Sequence, residues 1–191
     1  TIVSGIVMLN HFLEGKINYW YLEIIRWAVF IWLFVSLATA PVGSQVVQSI
    51  NINKPVSEVY QYITVPTLWH EWHEQSLSVT PALDSSFKKG QTFQEVIKTK
   101  LGEDHMSWQV ELSDENTQWV ANAYNLDKGV EIRLQYDFLE KDGQTYFTRT
   151  LNYDVPNFLY HVVNVLYFNK HMIKKSQHAI ESLKMTMEAN K

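Results

Sequence analysis

An uncharged apolar run near the N-terminus constrains the fold of this chain more than any other feature. No Lys, Arg, Asp or Glu occurs between Arg26 and Lys54, and residues 27–41 read WAVFIWLFVSLATAP. Twenty-one helical residues, 20–40, would rise about 31 Å, which matches the hydrocarbon core of a bilayer. Pro41 then ends the helix. We therefore predict a transmembrane anchor over about residues 20–40.

Two other interpretations of this run remain open. The small residues Ala38-Thr39-Ala40 resemble the cleavage site of a signal peptide. A buried helix of a soluble protein would also suit a run of this length. We favour the anchor, because Trp20 and Trp27 lie toward its N-terminal end, where amphipathic rings prefer the headgroup level.

We expect a single-pass membrane protein, located in a membrane such as the bacterial inner membrane. Lys16 and Arg26 precede the span and Lys54 follows it, which favours a periplasmic or extracellular position for the larger domain. Residues 1–13 are apolar but too short to span a bilayer alone, so they could instead end an upstream span.

Length and composition limit the number of domains and the classes of partner that are possible. A chain of 191 residues suits one domain with an appendage, so we predict an N-terminal segment at 1–43 and a domain at 44–191. The formal charge of -4 provides no basic field, which argues against nucleic acid as a partner. Cysteine is absent, so disulfides and thiolate chemistry are excluded.

Alternating apolar and polar residues predict an antiparallel sheet in the domain. The cleanest alternation places Ile132, Leu134 and Tyr136 on one face, and Lys141-Asp142-Gly143 predicts a tight hairpin after it. Short helices are predicted after Pro55 and after Pro66, and a long amphipathic helix between Pro156 and Glu188. Strands are predicted at 45–53, 76–83, 91–98, 105–112, 117–124, 129–140 and 144–155.

The stretch ININKPVSEVYQYITVPTLWHEW, with Gly90 opening the third strand, resembles the START-like or SRPBCC superfamily over about residues 45–189. This superfamily includes polyketide cyclase/dehydrase-type proteins and the major birch pollen allergen. The resemblance implies an α+β helix-grip fold, in which a curved antiparallel sheet of about seven strands surrounds a long C-terminal helix and an apolar cavity. Here a transmembrane helix would precede that fold.

The inward-facing positions of this fold supply the candidate ligand site. Glu95 and Arg149 fall among apolar neighbours, and because buried charges are costly we expect them to pair with each other or with a polar ligand headgroup. Alternatively, they reach water at strand ends, or a bulge shifts the alternation. The candidate ligand-binding residues are Trp69, Phe93, Glu95, Trp108, Arg149, Tyr153, Leu159, Val162 and Leu166.

No catalytic or metal-binding motif is evident. His70 and His73 are three residues apart, but two histidines do not complete a zinc site, and a solvated helix with buried tryptophans explains LWHEWHE better. Ser176 is interpreted as a small residue at a packing interface within the core, rather than as a nucleophile. Acid–base catalysis by Glu95, His105 or Tyr153 stays open, and no cofactor is predicted.

Three functions are compatible with these features. The leading one is a membrane-anchored, non-enzymatic module that binds a membrane lipid, a quinone, an isoprenoid-like molecule or another hydrophobic small molecule. The alternative is an accessory or assembly subunit of a larger complex, in which the span and residues 1–13 would dock helices of an integral-membrane protein partner. Residues 158–168 are apolar on nearly all sides and need a second apolar partner, which could be the contents of the cavity, the bilayer surface, another subunit or the anchor of this chain. The second alternative is a cyclase- or hydrolase-type enzyme.

Overall fold

The computed structural model describes residues 20–39, 43–100, 102–126, 129–154 and 169–189. The chain divides into two compact units, residues 1–41 and residues 42–191. The first unit contains helix α1, Trp20–Thr39. All of the described large apolar side chains of α1 are exposed, from 42% at Ile25 to 66% at Trp32.

The predicted transmembrane span at residues 20–40 is not shown. Among the described residues, no helix has both the length and the apolar character needed to cross a bilayer. Glu23 and Arg26 form an ion pair of 2.6 Å in the first turns of α1.

The second unit is built on one antiparallel sheet of seven strands in the order β1-β7-β6-β5-β4-β3-β2. Each predicted strand overlaps an observed one. Asp142 and Gly143 both have positive φ and join β6 to β7 in the predicted tight turn. The strands are β1 Gly43–Ile52, β2 Ser76–Thr80, β3 Thr92–Thr99, β4 Gly102–Asp114, β5 Gln118–Asn125, β6 Glu131–Lys141 and β7 Gln144–Asp154.

Three helical elements accompany the sheet in the described part of the second unit. Helix α2, Val56–Ile63, and the 3₁₀ helix Pro66–Glu71 connect β1 to β2, as the two prolines predicted. The C-terminal helix α3, Asn169–Ala189, contacts β1. This α+β arrangement fits the predicted helix-grip fold. The part of the predicted helix before residue 169 lies outside the described residues.

The core lies between the inward face of the sheet and one side of α3. Tyr136 and Phe147 are nearly inaccessible on β6 and β7, and Ile180 and Leu183 are fully buried on α3. Trp69 and Trp72 are also buried, as predicted. The interior is therefore an apolar and strongly aromatic environment for any polar group placed inside it.

Candidate functional site

The structure places six of the nine predicted ligand-binding residues in the interior. All six are buried: Trp69, Phe93, Glu95, Trp108, Arg149 and Tyr153. The other three, Leu159, Val162 and Leu166, lie outside the described residues. The inward alternation predicted from the strands is thus observed, whereas the binding role of these residues stays a prediction.

Trp69 is the centre of an aromatic cluster. Its ring makes edge-to-face contacts with Phe93 and Trp108, each at 5.7 Å between ring centroids, and with Trp119 at 6.2 Å. Its indole N–H donates to the Ile63 carbonyl oxygen at 2.8 Å, which joins the 3₁₀ helix to the end of α2. This cluster fixes one wall of the interior.

Glu95 is a buried carboxyl group on β3. It is 3% exposed, and its Oε2 accepts a hydrogen bond of 2.9 Å from the indole N–H of Trp108. Its other oxygen, Oε1, has no hydrogen-bond partner among the described residues. Burial raises the pKa of Glu95 to about 7, and the neighbouring Ser76, Trp108 and Arg149 only partly oppose that shift.

Arg149 is a buried guanidinium on β7. It is 6% exposed, and its Nη1 donates a hydrogen bond of 2.7 Å to Oγ of Ser176 on α3. Its Nε–H has no partner among the described residues. Tyr136 is its cross-strand neighbour on β6, and burial raises the pKa of that phenol to about 12 although Arg149 opposes the shift.

Arg149 lowers the pKa of Glu95, which partly opposes the effect of burial, although the two groups form no ion pair. Within the described residues no ion pair joins them, so direct pairing, one of the two expected arrangements, is not observed. Their burial also excludes the alternative in which both reach water. Each therefore keeps one unpartnered polar atom in an apolar interior, where an unmade hydrogen bond costs roughly 1–3 kcal/mol.

Two residues of this site were not predicted from the sequence. Ser176 is buried as expected at a core seam, but it also accepts the hydrogen bond of Arg149. His73 is partly buried rather than solvated, and burial, then Arg149 and Lys175, lower its pKa to about 3. Neither role has a local sequence signal, because the contacts join segments that are far apart in the chain.

The histidines of the site do not form a metal centre. Within the described ranges, no group of three or more His, Asp or Glu residues is arranged to hold a metal ion. The histidines of LWHEWHE have separate environments: His70 Nδ1 lies 2.8 Å from the Thr67 carbonyl oxygen, whereas His73 packs beside Trp72. The described site therefore consists of a buried carboxyl, a buried guanidinium and their aromatic surroundings.

Comparison with known protein families gives one match. Residues 44–188 match the model of the family described as polyketide cyclase/dehydrase and lipid transport. None of the curated proteins matches the sequence. The family match covers almost the whole second unit and supports the superfamily resemblance predicted from the sequence.

Solved structures support the same fold. The protein TTHA0849 from Thermus thermophilus has a TM-score of 0.61 at 14% identity, covering 76% of this chain and 98% of that chain. A protein from Rhodobacter sphaeroides has a TM-score of 0.59 at 14% identity, covering 78% and 94%. Ara h 8.0201 has a TM-score of 0.54 at 10% identity, covering 78% and 99%. At these identities the similarity concerns the fold alone.

Proposed function

Because this chain belongs to the polyketide cyclase/dehydrase and lipid transport family, we propose that it binds a hydrophobic small molecule between the curved sheet and α3. The polar part of that molecule contacts Arg149 and Glu95, and its apolar part contacts the aromatic side chains around them. Trp69, Phe93, Trp108 and Tyr153 share that interior.

One observation carries this proposal: a guanidinium and a carboxyl group are buried in an apolar interior, and each has an atom without a hydrogen-bond partner among the described residues. Among the described residues, Arg149 Nε is an unused donor and Glu95 Oε1 an unused acceptor. A ligand with a hydroxyl or carbonyl group would satisfy these atoms and recover the cost of leaving them unpaired. An apolar pocket with a few convergent polar groups is the usual form of a small-molecule site.

The same contacts favour binding over nucleophilic catalysis. The Ser176 hydroxyl accepts its hydrogen bond from Arg149. A guanidinium remains protonated at physiological pH and cannot act as a general base toward that hydroxyl. A serine nucleophile needs an adjacent base, so this arrangement argues against Ser176 as a nucleophile.

Retention of ligand by the purified full chain tests the proposal. We expect mass spectrometry of extracts to find a hydrophobic compound near one-to-one ratio with the unmodified chain, and Arg149→Met to lose most of it. Arg133→Met is the matched control, because Arg133 lies on β6 and pairs with Glu111 at a half-exposed position. Circular dichroism confirms that both variants fold. Equal ligand content in the two variants would contradict the proposed role of Arg149.

We further propose that α1 attaches the chain to a membrane. The support is the exposure of apolar side chains all along the described helix, including Trp20, Trp27 and Trp32. Exposed apolar surface of this extent is typical of segments that contact lipid or another protein. A bilayer would also provide a high local concentration of hydrophobic ligand for a tethered binding domain.

A further inference from the structure

A basic groove lies beside the interior site. It has a volume of about 490 Å³ and is formed by the segment before β2, the end of β3 and one side of α3. Among the described residues that line it, only Glu74 has a carboxylate, although the whole chain has a formal charge of -4. The basic groove is defined here by Lys98, Lys100, Lys174, Lys175, His73 and His178.

Three of the four lysines of the groove form no ion pair with a described carboxylate. These three are Lys98, Lys174 and Lys175. Lys98 and Lys174 are exposed and Lys175 is half-buried, and all three line the same partly enclosed space. Like charges held together repel one another, and a bound anion would remove that repulsion.

The groove and the interior site share elements. Ala179, a buried residue, lines the groove on α3, and Ser176, the partner of Arg149, is three residues before it. Positions three residues apart on a helix are separated by a rise of about 4.5 Å. His73 lines the groove, and its pKa is lowered by burial and then by the charges of both Arg149 and Lys175. The groove and the interior site are therefore adjacent along α3.

We propose that the basic groove binds the phosphate group of an amphipathic ligand. This inference rests on the proposed function, because the apolar part of the same molecule would occupy the interior. Several lysines around one space suit a multiply charged anion better than a single carboxylate, and an ammonium group provides a compact charge with three donors.

Binding to the full chain in a neutral detergent tests this assignment with three probes: octyl phosphate, octanol and inorganic pyrophosphate. We expect octyl phosphate to bind at least about tenfold more tightly than octanol, and the advantage to shrink at high salt. The double variant Lys174→Gln/Lys175→Gln should lose about tenfold in affinity for octyl phosphate and none for octanol. Lys89→Gln/Lys141→Gln, which removes two exposed charges outside the groove, should behave like the unmodified chain.

The outcomes separate this inference from the proposed function. Equal affinity for octyl phosphate and octanol, or equal losses in both double variants, would overturn the phosphate assignment and leave the apolar site intact. Binding of pyrophosphate that depends on Lys174 and Lys175, without binding of either octyl probe, would support an anion site for free phosphate and contradict the interior site. Failure of all three probes to bind would overturn both.

Discussion

At the scale of single residues, Glu95 makes the stability of the fold depend on pH. Burial raises its pKa to about 7, against about 4.3 for glutamate in an unfolded chain. The folded protein therefore binds a proton that the unfolded chain releases between those values. We expect the Glu95 contribution to lower the free energy of unfolding as pH rises from about 4.3 to about 7, by on the order of 3 kcal/mol.

Glu95→Gln isolates this contribution. The amide keeps the shape of the protonated carboxyl but does not titrate, so the variant should gain stability relative to the unmodified chain as pH rises from about 5 to about 8. His73 acts in the opposite direction, because its pKa is lowered to about 3, but it is present in both proteins and cancels in the difference. Urea unfolding followed by tryptophan fluorescence measures the effect. Glu131→Gln, at an exposed position on β6, is the control, and parallel pH profiles for Glu95→Gln and the unmodified chain would refute the prediction.

The sequence predicted which residues face inward but not what they contact. Alternation along a strand is a local property, so Phe93, Glu95 and Arg149 were assigned to the inward face before their partners were known. The Arg149–Ser176 hydrogen bond and the position of His73 depend on how α3 crosses the sheet. No pattern within one segment contains that information.

At the scale of elements, helix α3 stabilises the domain through one narrow buried face. Leu183 is fully buried, whereas Met185, two residues later, is 63% exposed. Deleting a buried leucine side chain removes its transfer free energy and leaves a cavity. We expect Leu183→Ala to lower the free energy of unfolding by roughly 2–4 kcal/mol and Met185→Ala by less than about 1 kcal/mol. Urea denaturation checks both, and similar losses would mean that α3 does not pack as described.

Elements with strong local signals were predicted well. The β6–β7 hairpin has both alternation and a two-residue turn, Asp142-Gly143, with positive φ, so its position followed from the sequence. The predicted strand 76–83 is shorter in the structure because Pro81 cannot donate to a ladder, and β2 ends at Thr80. In β4 the register shifts between Val110 and Leu112, which interrupts the alternation, so Leu112 is only partly buried whereas Val110 is buried.

At the scale of the whole molecule, the order of elements and the stretch that follows β1 pointed to the superfamily. The apolar N-terminal run, in contrast, did not determine whether its helix spans a bilayer or contacts a surface. A strand, two short helices, six strands and a long helix leave few ways to cover one sheet face, and the helix-grip fold that the resemblance implied is one of them. An apolar helix satisfies its own backbone hydrogen bonds wherever it lies. Its composition therefore cannot distinguish a span from a surface contact, and no described helix meets the requirements for a span.

The division into two units gives a prediction for the complete chain. The second unit contains the whole sheet, α2 and α3, and the family match begins only at residue 44. We expect residues 42–191 expressed alone to fold, with a midpoint of urea unfolding within about 10% of that of the full chain, because the sheet and its core lie entirely within them.

The full chain should sediment with lipid vesicles and the shorter one should remain in the supernatant, because only the full chain contains the exposed apolar side chains of α1. The matched control is a triple variant of the full chain, Trp27→Ser, Phe30→Ser and Trp32→Ser. If this variant stays in the supernatant, the association with vesicles depends on the apolar side chains of α1. Equal sedimentation of the full and shortened chains would contradict attachment through α1, and an unfolded shortened chain would contradict the independence of the second unit.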